Sequence, residues 1–299
     1  MSTAAQNTDA REDARWLVVG AGGMLGRDLG ALLEVQGVEY SALTRAELDL
    51  TDPAAVKAAV SGYDVVANAA AWTDVDGAEE HEEAASAING AAVRNLAGAC
   101  ADSGSRLLHL STDYVFPGDA TAPIAEDTPT SPLNAYGRSK LIGERAVLEL
   151  LPDRGYVVRT AWLYGKHGKN FVATILNAAE KREFLDVVDD QRGQPTSTLA
   201  LSRQLLALGR AARAGQAPSG VYHGTCSGST TWFGLARQAF EFAGLDPERV
   251  RPTTSDAFVR PAPRPAYSVL GHERWAAAGL TPMIHWRDAL REYLVTTKA

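Results

Sequence analysis

The sequence predicts an α/β fold built on a doubly wound parallel sheet. Short apolar runs alternate with longer stretches of helical periodicity through the first half of the chain. This alternation is typical of βαβ units, and the continuous apolar character of the runs indicates strands that are covered on both faces. The runs occupy residues 16–20, 39–43, 64–70, 106–111 and 156–162, and the helical stretches occupy residues 24–36, 53–61, 84–103 and 136–150.

The second half of the chain has a looser pattern and predicts a smaller lobe that interleaves with the sheet domain. Its helical stretches alternate with loops that contain Pro and Gly, and they occupy residues 170–182, 198–214, 231–243 and 286–297. The proline-rich segment 252–267 cannot be one regular element. We expect a disordered tail over 1–14, a sheet domain over 15–165 with contributions from about 198–224, and the lobe over 166–197 and 225–299.

Composition and charge argue against several classes of function. The 299 residues carry a net charge of −7, which is unfavourable for a general binder of nucleic acids or anionic membranes. The N-terminal segment has no apolar signal, and no run approaches the ~20 apolar residues of a membrane span. Cys100 and Cys226 show no metal-ligand spacing. We therefore expect a reduced, cytoplasmic protein without a nucleic-acid or membrane partner.

A glycine-rich turn follows the first predicted strand. Gly20, Gly23 and Gly26 are spaced three residues apart, with Met24 and Leu25 in the same turn. Glycine lets backbone N–H groups approach a pyrophosphate, and the N-terminus of the next helix offers unpaired N–H groups to it. The position predicts a Rossmann-like dinucleotide site, although the same spacing could serve only a tight turn.

The end of the second predicted strand favours NADPH as the cofactor. A carboxylate at this position usually binds the ribose hydroxyls of NAD, whereas this chain has Thr44 and Arg45. Arg45 could pair with the 2′-phosphate of NADPH or could be an ordinary surface residue. Asp49 and Leu50 are then expected beside the adenine, and NADH stays open as an alternative.

Tyr136 and Lys140 lie four residues apart and share one face of a predicted helix. A phenol ionises near pH ~10, and a lysine ammonium beside it favours the phenolate and lowers the pKa. Such a pair can deliver a proton to a carbonyl oxygen while a hydride reaches the carbon. Thr112, at the end of the fourth predicted strand, is the candidate for a further hydrogen-bond donor to that oxygen.

The glycine turn, the strand-end threonine and the Tyr-x-x-x-Lys pair together resemble the extended short-chain dehydrogenase/reductases. Within them, the chain resembles the dTDP-4-dehydrorhamnose reductase family along nearly its whole length. The matching stretches are GAGGMLG (20–26), LDLTD (48–52), NAAAWTDVDGAE (68–79), STDYVFPG (111–118), AYGRSKLIGE (135–144), RTAWLYG (159–165), NFV (170–172), DQRGQPT (190–196) and RPAYSVL (264–270). The resemblance implies that the sheet domain binds the dinucleotide and that the lobe binds the substrate.

The resemblance also implies a reaction, the NADPH-dependent reduction of the C4 ketone of dTDP-4-dehydro-β-L-rhamnose to dTDP-β-L-rhamnose. Tyr136 would donate the proton, Lys140 would tune Tyr136 and hold the nicotinamide ribose, and Thr112 would bond near the sugar O4. The related nucleotide-sugar dehydratases carry Asp-Glu after this threonine. Here Asp113 is followed by Tyr114, which argues for simple ketone reduction.

Further contacts follow from the same resemblance. The residues expected beside the nicotinamide are Ala69, Ala70 and Ala71. The expected substrate contacts are Thr73, Val75, Thr112, Asp113, Tyr114, Trp162, Asn170 and Gln191. Trp162 could instead be an ordinary core residue, and Asp113 could be a turn cap. Roles for Arg192, Arg260 and Arg264 at the nucleotide end stay open, because surface placement is equally compatible with the sequence.

Three alternatives remain at this point. The chain could reduce another dTDP-4-keto-deoxysugar in antibiotic or glycan biosynthesis. It could be a non-catalytic, NADP-binding regulatory subunit, against which the presence of Thr112, Tyr136 and Lys140 argues. It could be an epimerase that retains NAD, against which Arg45 argues. A homodimer is possible, and some family members bind Mg²⁺ at a dimer interface, but no residue set here predicts a metal site, although Glu292 lies in a suitable region.

Overall fold

A computed structural model describes residues 14–298. The expected disordered tail lies outside the described residues except for Ala14, which is buried against the main core. The strands in chain order are β1 (Trp16–Val19), β2 (Tyr40–Leu43), β3 (Val65–Asn68), β4 (Arg106–Thr112), β5 (Gly155–Thr160), β6 (Leu163–Tyr164), β7 (Leu185–Val188), β8 (Arg192–Gly193), β9 (Thr196–Ser197), β10 (Gly220–His223), β11 (Thr230–Thr231) and β12 (Val250–Thr253).

The α-helices alternate with these strands in the first half and separate the short strands in the second. They are α1 (Met24–Val35), α2 (Pro53–Val60), α3 (Gly77–Glu80), α4 (Glu82–Ser86), α5 (Ala92–Ser103), α6 (Ala135–Leu150), α7 (Phe171–Ala179), α8 (Thr198–Arg213), α9 (Trp232–Ala243), α10 (Arg274–Ala277) and α11 (Trp286–Lys298). A π-helical segment, Ala87–Ala91, joins α4 to α5. None of the helices within residues 14–298 is long and apolar enough to span a membrane.

Six strands form a parallel sheet in the order β10-β5-β4-β3-β1-β2. Successive residues of β1 point to opposite faces, and both faces are buried. Trp16 and Val18 enter one apolar cluster, and Leu17 and Val19 enter the other. Leucines of α1 and α8 complete the first cluster, while apolar residues of α2 and α5 complete the second. The predicted doubly wound α/β class is therefore confirmed.

Local sequence signals fix where several helices begin and end. The Asp52 side chain accepts hydrogen bonds from the first-turn amides of α2, and Pro53 opens that helix with a ring that suits its first position. Asn134 caps α6 in the same way. α5 ends at Gly104, whose φ of +82° is a left-handed conformation that glycine adopts without strain.

The second half adds a small lobe to the sheet domain. β7 and β12 pair in parallel and pack with α7 and α9 around a separate apolar cluster. Two further strand pairs, β6 with β9 and β8 with β11, form separate two-stranded sheets. α8 and β10 belong to the sheet domain, since β10 forms the outer strand next to β5. The candidate site lies along the carboxyl ends of the parallel strands β1 to β5.

Candidate active site

The glycine turn brings the chain close to the end of β3. Gly20 has a φ of +81°, and a Cβ atom built there would lie 2.5 Å from the backbone nitrogen of Ala70. A Cβ on Gly26 would collide with the carbonyl oxygen of Gly20. Gly23 precedes α1 without a side-chain cap, and the first turn carries no acidic residue. The N–H groups of this helix end are therefore available to an anionic group.

A cleft of about 940 Å³ extends from this turn along the carboxyl edge of the sheet. Its lining includes most of the residues predicted for the cofactor, namely Gly20, Gly23, Met24, Leu25, Arg45, Asp49, Leu50, Ala69, Ala70, Ala71, Tyr136 and Lys140, together with Thr73. Gly26 does not line the cleft. It lies beneath the turn, where the absence of a side chain lets α1 pack against the backbone of Gly20. The lining residues that the sequence did not indicate are Val19, Gly22, Thr44, Leu48, Thr51, Trp72, Ile88, Leu110, Ser111, Thr160, Leu163, Gly168 and Lys169.

The end of β2 forms one end of the cleft. Arg45 is exposed there. The backbone N–H and the hydroxyl of Thr44 both donate to Glu47, at 2.9 and 2.7 Å. The hydroxyl and backbone N–H of Thr51 donate to Asp49 and hold the pKa of that carboxyl below its usual range. An exposed guanidinium at this point can meet a phosphate without first breaking a buried ion pair.

Tyr136 and Lys140 lie at the other end of the cleft, on the first two turns of α6. A Cβ atom on Gly137 would collide with the carbonyl oxygen of Tyr114, so the start of α6 packs directly on the turn after β4. Lys140 is buried, and its ammonium donates to the carbonyl oxygen of Leu110 at 2.6 Å. Burial lowers the pKa of Lys140 to about 8.

The pKa of Tyr136 is raised, whereas the sequence predicts that Lys140 lowers it. Burial raises the pKa of the phenol, the nearby Asp113 carboxylate raises it further, and contact with the Thr112 hydroxyl only partly opposes the rise. The lysine ammonium is already bonded to the carbonyl of Leu110, so it does not offset the loss of water around the phenol. In this structure the predicted lowering is therefore wrong, and the phenol is the protonated form at neutral pH.

The polar residues at the end of β4, Thr112 to Tyr114, form a turn beside Tyr136. The Thr112 hydroxyl donates to Asp113 Oδ1 at 3.0 Å and accepts from the backbone N–H of Tyr114 at 3.2 Å. Asp113 is buried, and burial raises its pKa to about 6, while the hydroxyls of Ser268 and Thr112 oppose the shift. The Tyr114 ring meets the Tyr136 ring edge-on, with centroids 5.8 Å apart. These side chains form one cluster around Tyr136, which lines the cleft, whereas Thr112, Asp113 and Tyr114 are not among the lining residues.

The remaining predicted substrate residues lie further into the lobe. Trp162 stacks on Trp232, with ring centroids 3.6 Å apart. Gln191 accepts a hydrogen bond from the Trp232 ring nitrogen at 3.1 Å. Asn170 caps α7 through Ala173 N and donates to the carbonyl of Gly165, so its side chain already has backbone partners. Val75, Trp162, Asn170 and Gln191 are not among the residues that line the cleft.

The three arginines with open roles have partners in the protein. Arg264 and Arg260 both pair with Asp76, at 3.0 and 3.5 Å, and this carboxylate adjoins the partly buried Val75. The Arg264 guanidinium also lies over the ring of Tyr114, 5.9 Å from its centroid. Arg192 is exposed and donates to the hydroxyl of Ser229 at 3.3 Å. Arg264 therefore lies beside the Tyr136 cluster, and Arg260 shares its carboxylate partner.

An acidic stretch around α3 and α4 holds the helix that carries Tyr136. Glu79 accepts a hydrogen bond from the backbone N–H of Ala135, the first residue of α6, at 2.8 Å. Glu82 accepts two hydrogen bonds of 2.7 Å from the guanidinium of Arg138. The sequence gives no spacing signal for these contacts, because the partners are 56 residues apart.

No group of three or more metal-ligating side chains occurs within residues 14–298. Glu292 is engaged in a bidentate pair with Arg203, at 2.6 and 2.8 Å. The described part of the chain thus offers no assembled site for Mg²⁺.

The dinucleotide fits the groups that this cleft presents. The glycine turn forms a cradle that a Cβ would fill, and the first-turn amides of α1 are uncapped. The buried hydroxyls of Ser111 and Thr160 line the cleft and have no hydrogen-bond partner within residues 14–298. Unpaired buried hydroxyls are costly, so a ligand that bonds to them gains free energy.

The sheet order, the glycine turn and the Tyr136–Lys140 pair define an α/β dinucleotide-binding protein of the extended short-chain dehydrogenase/reductase type. The chain belongs to the family described as the RmlD substrate binding domain, whose sequence profile matches residues 14–298.

Known relatives match along nearly the whole chain. A dTDP-4-dehydrorhamnose reductase from Streptomyces griseus is 56% identical over 280 residues, which cover 93% of this chain and 92% of that one. A dTDP-4-keto-6-deoxy-D-glucose reductase from Streptomyces niveus is 52% identical over 280 residues, which cover 93% of this chain and 96% of that one. The crystal structure of a Bacillus anthracis dTDP-4-dehydrorhamnose reductase in complex with NADP superposes with a TM-score of 0.90, at 34% identity, over 95% of this chain and all of that one.

Proposed function

We propose that the protein is an NADPH-dependent reductase that converts the C4 ketone of dTDP-4-dehydro-β-L-rhamnose to the alcohol of dTDP-β-L-rhamnose. The observation that carries the proposal is that Tyr136 and Lys140 line a cleft that fits a dinucleotide, with the Thr112 hydroxyl beside the Tyr136 phenol. The names of the Streptomyces griseus and Bacillus anthracis relatives support the substrate, and the NADP in the latter supports the cofactor.

The cleft residues would hold the cofactor at three points. Arg45 pairs with the 2′-phosphate, and Asp49 and Leu50 lie beside the adenine. The pyrophosphate lies on the turn formed by Gly20, Gly23, Met24, Leu25 and Gly26. Ala69, Ala70 and Ala71 run beside the nicotinamide, and Lys140 bonds to its ribose. When bound, the reduced nicotinamide supplies the hydride for the ketone carbon.

Tyr136 would deliver the proton to the ketone oxygen. Its phenol is protonated at neutral pH, as an ordinary phenol with a pKa of ~10 already is, and this is the form that a proton donor requires. Thr112 donates a second hydrogen bond to the same oxygen and stabilises the negative charge that develops there. For this, its hydroxyl turns away from Asp113, whose buried carboxyl is partly protonated near pH 6.

The sugar would occupy the space between the Tyr136 cluster and the lobe. Thr73, Val75, Asp113, Tyr114 and Trp162 line it, and Asn170 and Gln191 lie towards the nucleotide. Arg260 and Arg264 could then exchange Asp76 for the substrate diphosphate. A homodimer and a cytoplasmic location stay predictions. Light scattering of the purified protein measures its molar mass and tests the homodimer.

A second candidate is the reduction of a different dTDP-4-keto-deoxysugar. The Streptomyces niveus relative bears the name of such an enzyme and is almost as similar as the Streptomyces griseus one. A non-catalytic NADP-binding subunit would not need the Thr112, Tyr136 and Lys140 cluster, so this alternative is less favoured.

The purified protein should be mixed with NADPH and, in separate reactions, with dTDP-4-dehydro-L-rhamnose and a panel of other dTDP-4-keto-sugars. Loss of the reduced-nicotinamide absorbance with formation of dTDP-L-rhamnose is the expected result. Faster turnover of another keto-sugar would favour the second candidate. Binding of NADPH without oxidation by any of them would contradict both and favour the regulatory subunit.

A further inference from the structure

Trp162 has an unusual backbone conformation next to the candidate site. Its φ is +48°, and it is the only residue other than glycine with a positive φ among residues 14–298. Such a conformation is strained for a bulky residue and persists only where surrounding contacts impose it. Thr160 pairs with Thr112 in the sheet, so Trp162 lies just beyond the level of the proposed oxygen-binding hydroxyl.

Two neighbours fix the indole of Trp162. The ring of Trp232, the first residue of α9, stacks on it with a centroid distance of 3.6 Å and an interplanar angle of 8°. At this distance and angle, Trp232 covers one face of the indole. Gly193 lies against the same indole, since a Cβ atom there would be 2.6 Å from its Cε2 atom. Any larger residue at position 193 would displace Trp162.

Trp232 is itself held by the lobe. Its ring N–H donates to Gln191, and the Gln191 amide donates to the Ser255 hydroxyl at 2.8 Å. The preceding strand β11 pairs antiparallel with β8, which places Thr230 opposite Gly193. The segment that precedes Trp232 and the segment that contains Gly193 are therefore one small sheet. Trp162 therefore packs against a Trp232 ring that hydrogen bonds and strand pairing hold in place.

We propose that Trp232 is a positioning residue for the sugar site. By stacking on Trp162, it fixes that indole in its left-handed conformation as a wall of the sugar pocket. It thereby contributes to the affinity for the keto-sugar without contact with the cofactor. The inference rests on the proposed function, in which Trp162 lines the sugar pocket.

The test compares Trp232→Leu, Trp232→Phe and a matched control, Phe171→Leu. Phe171 packs at a tilt against Trp232, with ring centroids 4.6 Å apart, and we expect its replacement to leave the two indoles stacked. The measurements are near-ultraviolet circular dichroism, which reports the coupling of stacked indoles, the KM and kcat for dTDP-4-dehydro-L-rhamnose, and the Kd for NADPH by calorimetry. Trp232→Met serves the same comparison if Trp232→Leu does not fold.

Trp232→Leu should abolish the coupled indole signal and raise the KM for the keto-sugar about tenfold, with kcat changed less and the NADPH Kd within about twofold. Trp232→Phe keeps an aromatic face and should restore most of the sugar affinity, and Phe171→Leu should leave KM within about twofold. A folded Trp232→Leu protein with an unchanged KM would overturn the inference, as would an equal rise in Phe171→Leu. A failure of the proposed function can be told apart from a failure of this inference. In that case the wild-type protein would bind NADPH without reducing the keto-sugar, and both the proposed function and the role of Trp232 would be overturned.

Discussion

Burial controls the ionisation of the side chains around Tyr136. It raises the pKa of Asp113 to about 6, raises that of the Tyr136 phenol, and lowers that of Lys140 to about 8. The Tyr-x-x-x-Lys spacing predicted that the pair shares one helix face, but it could not predict these shifts. They depend on the water that β4 and the following turn exclude, and on the Leu110 carbonyl that engages the ammonium.

Tyr136→Phe removes the proposed proton donor and leaves the ring in place. General acid catalysis contributes about 100- to 10,000-fold, so kcat should fall by at least about 100-fold. The NADPH Kd, measured by calorimetry, should stay within about threefold, because the cofactor keeps its other contacts. A variant with near wild-type kcat would show that another group protonates the ketone oxygen.

Arg45→Ala tests the choice between NADPH and NADH. A guanidinium–phosphate pair is a charge-assisted bond, so the Kd for NADPH should rise about tenfold or more. The Kd for NADH is the internal control and should change by less than about threefold, because NADH has no 2′-phosphate. An equal loss for both cofactors would remove Arg45 from the phosphate site.

Asp113→Asn should change how stability depends on pH. The folded protein retains the Asp113 proton up to about pH 6, whereas the carboxyl has an ordinary value of 3.8 when unfolded. The wild-type free energy of unfolding therefore falls as pH rises between these values, and asparagine removes this loss. The stability of the variant relative to wild type should grow by up to about 3 kcal/mol between about pH 4 and about pH 7 in urea unfolding. A difference that does not vary with pH would contradict the raised pKa.

At the scale of elements, α6 is fixed to the sheet and to its neighbours by ion pairs of different burial. Glu144 forms a bidentate pair with Arg159 of β5, and the two side chains are 1% and 4% exposed. Glu149, one and a half turns later, forms an equally bidentate pair with Arg94 of α5, and these side chains are 60% and 53% exposed. The two glutamates therefore provide a matched comparison on one helix.

Glu144→Ala should destabilise the protein by about 3–5 kcal/mol, because it leaves the Arg159 guanidinium buried without its carboxylate. Glu149→Ala should cost less than about 1 kcal/mol, since water solvates the Arg94 that remains. Urea unfolding at neutral pH measures both. Similar losses in the two variants would show that burial does not determine the contribution of these pairs.

The elements differ in how well periodicity alone could predict them. The five apolar runs of the first half overlap β1 to β5, although β4 extends to Thr112 and β5 begins at Gly155. Continuous apolar runs are typical of strands covered on both faces, whereas the edge strand β2 is only partly buried. The predicted helix over 84–103 is split by the π-helical segment Ala87–Ala91, where Asn89 donates to Ser139 of α6. That contact joins residues 50 positions apart, so no local pattern indicates it.

On the scale of the whole molecule, the second half of the chain supplies the parts that the sequence could not bring together. β10 completes the sheet from a point about 60 residues beyond the end of β5, and Trp232 reaches Trp162 from α9. The dinucleotide cleft was predictable because its residues follow strands of one parallel sheet, whose carboxyl ends meet at one edge. The sugar side was predictable only through the family resemblance, because it is assembled from long-range contacts across the lobe.

The central claim is that this chain transfers a hydride from NADPH to C4 of dTDP-4-dehydro-L-rhamnose. The most direct measurement supplies NADPH with deuterium at both positions of the nicotinamide C4 and locates the label by mass spectrometry and NMR. We expect dTDP-L-rhamnose with one deuterium, attached to C4 of the sugar. A product without deuterium at C4, or NADPH that stays unoxidised in the presence of this sugar, would contradict the claim.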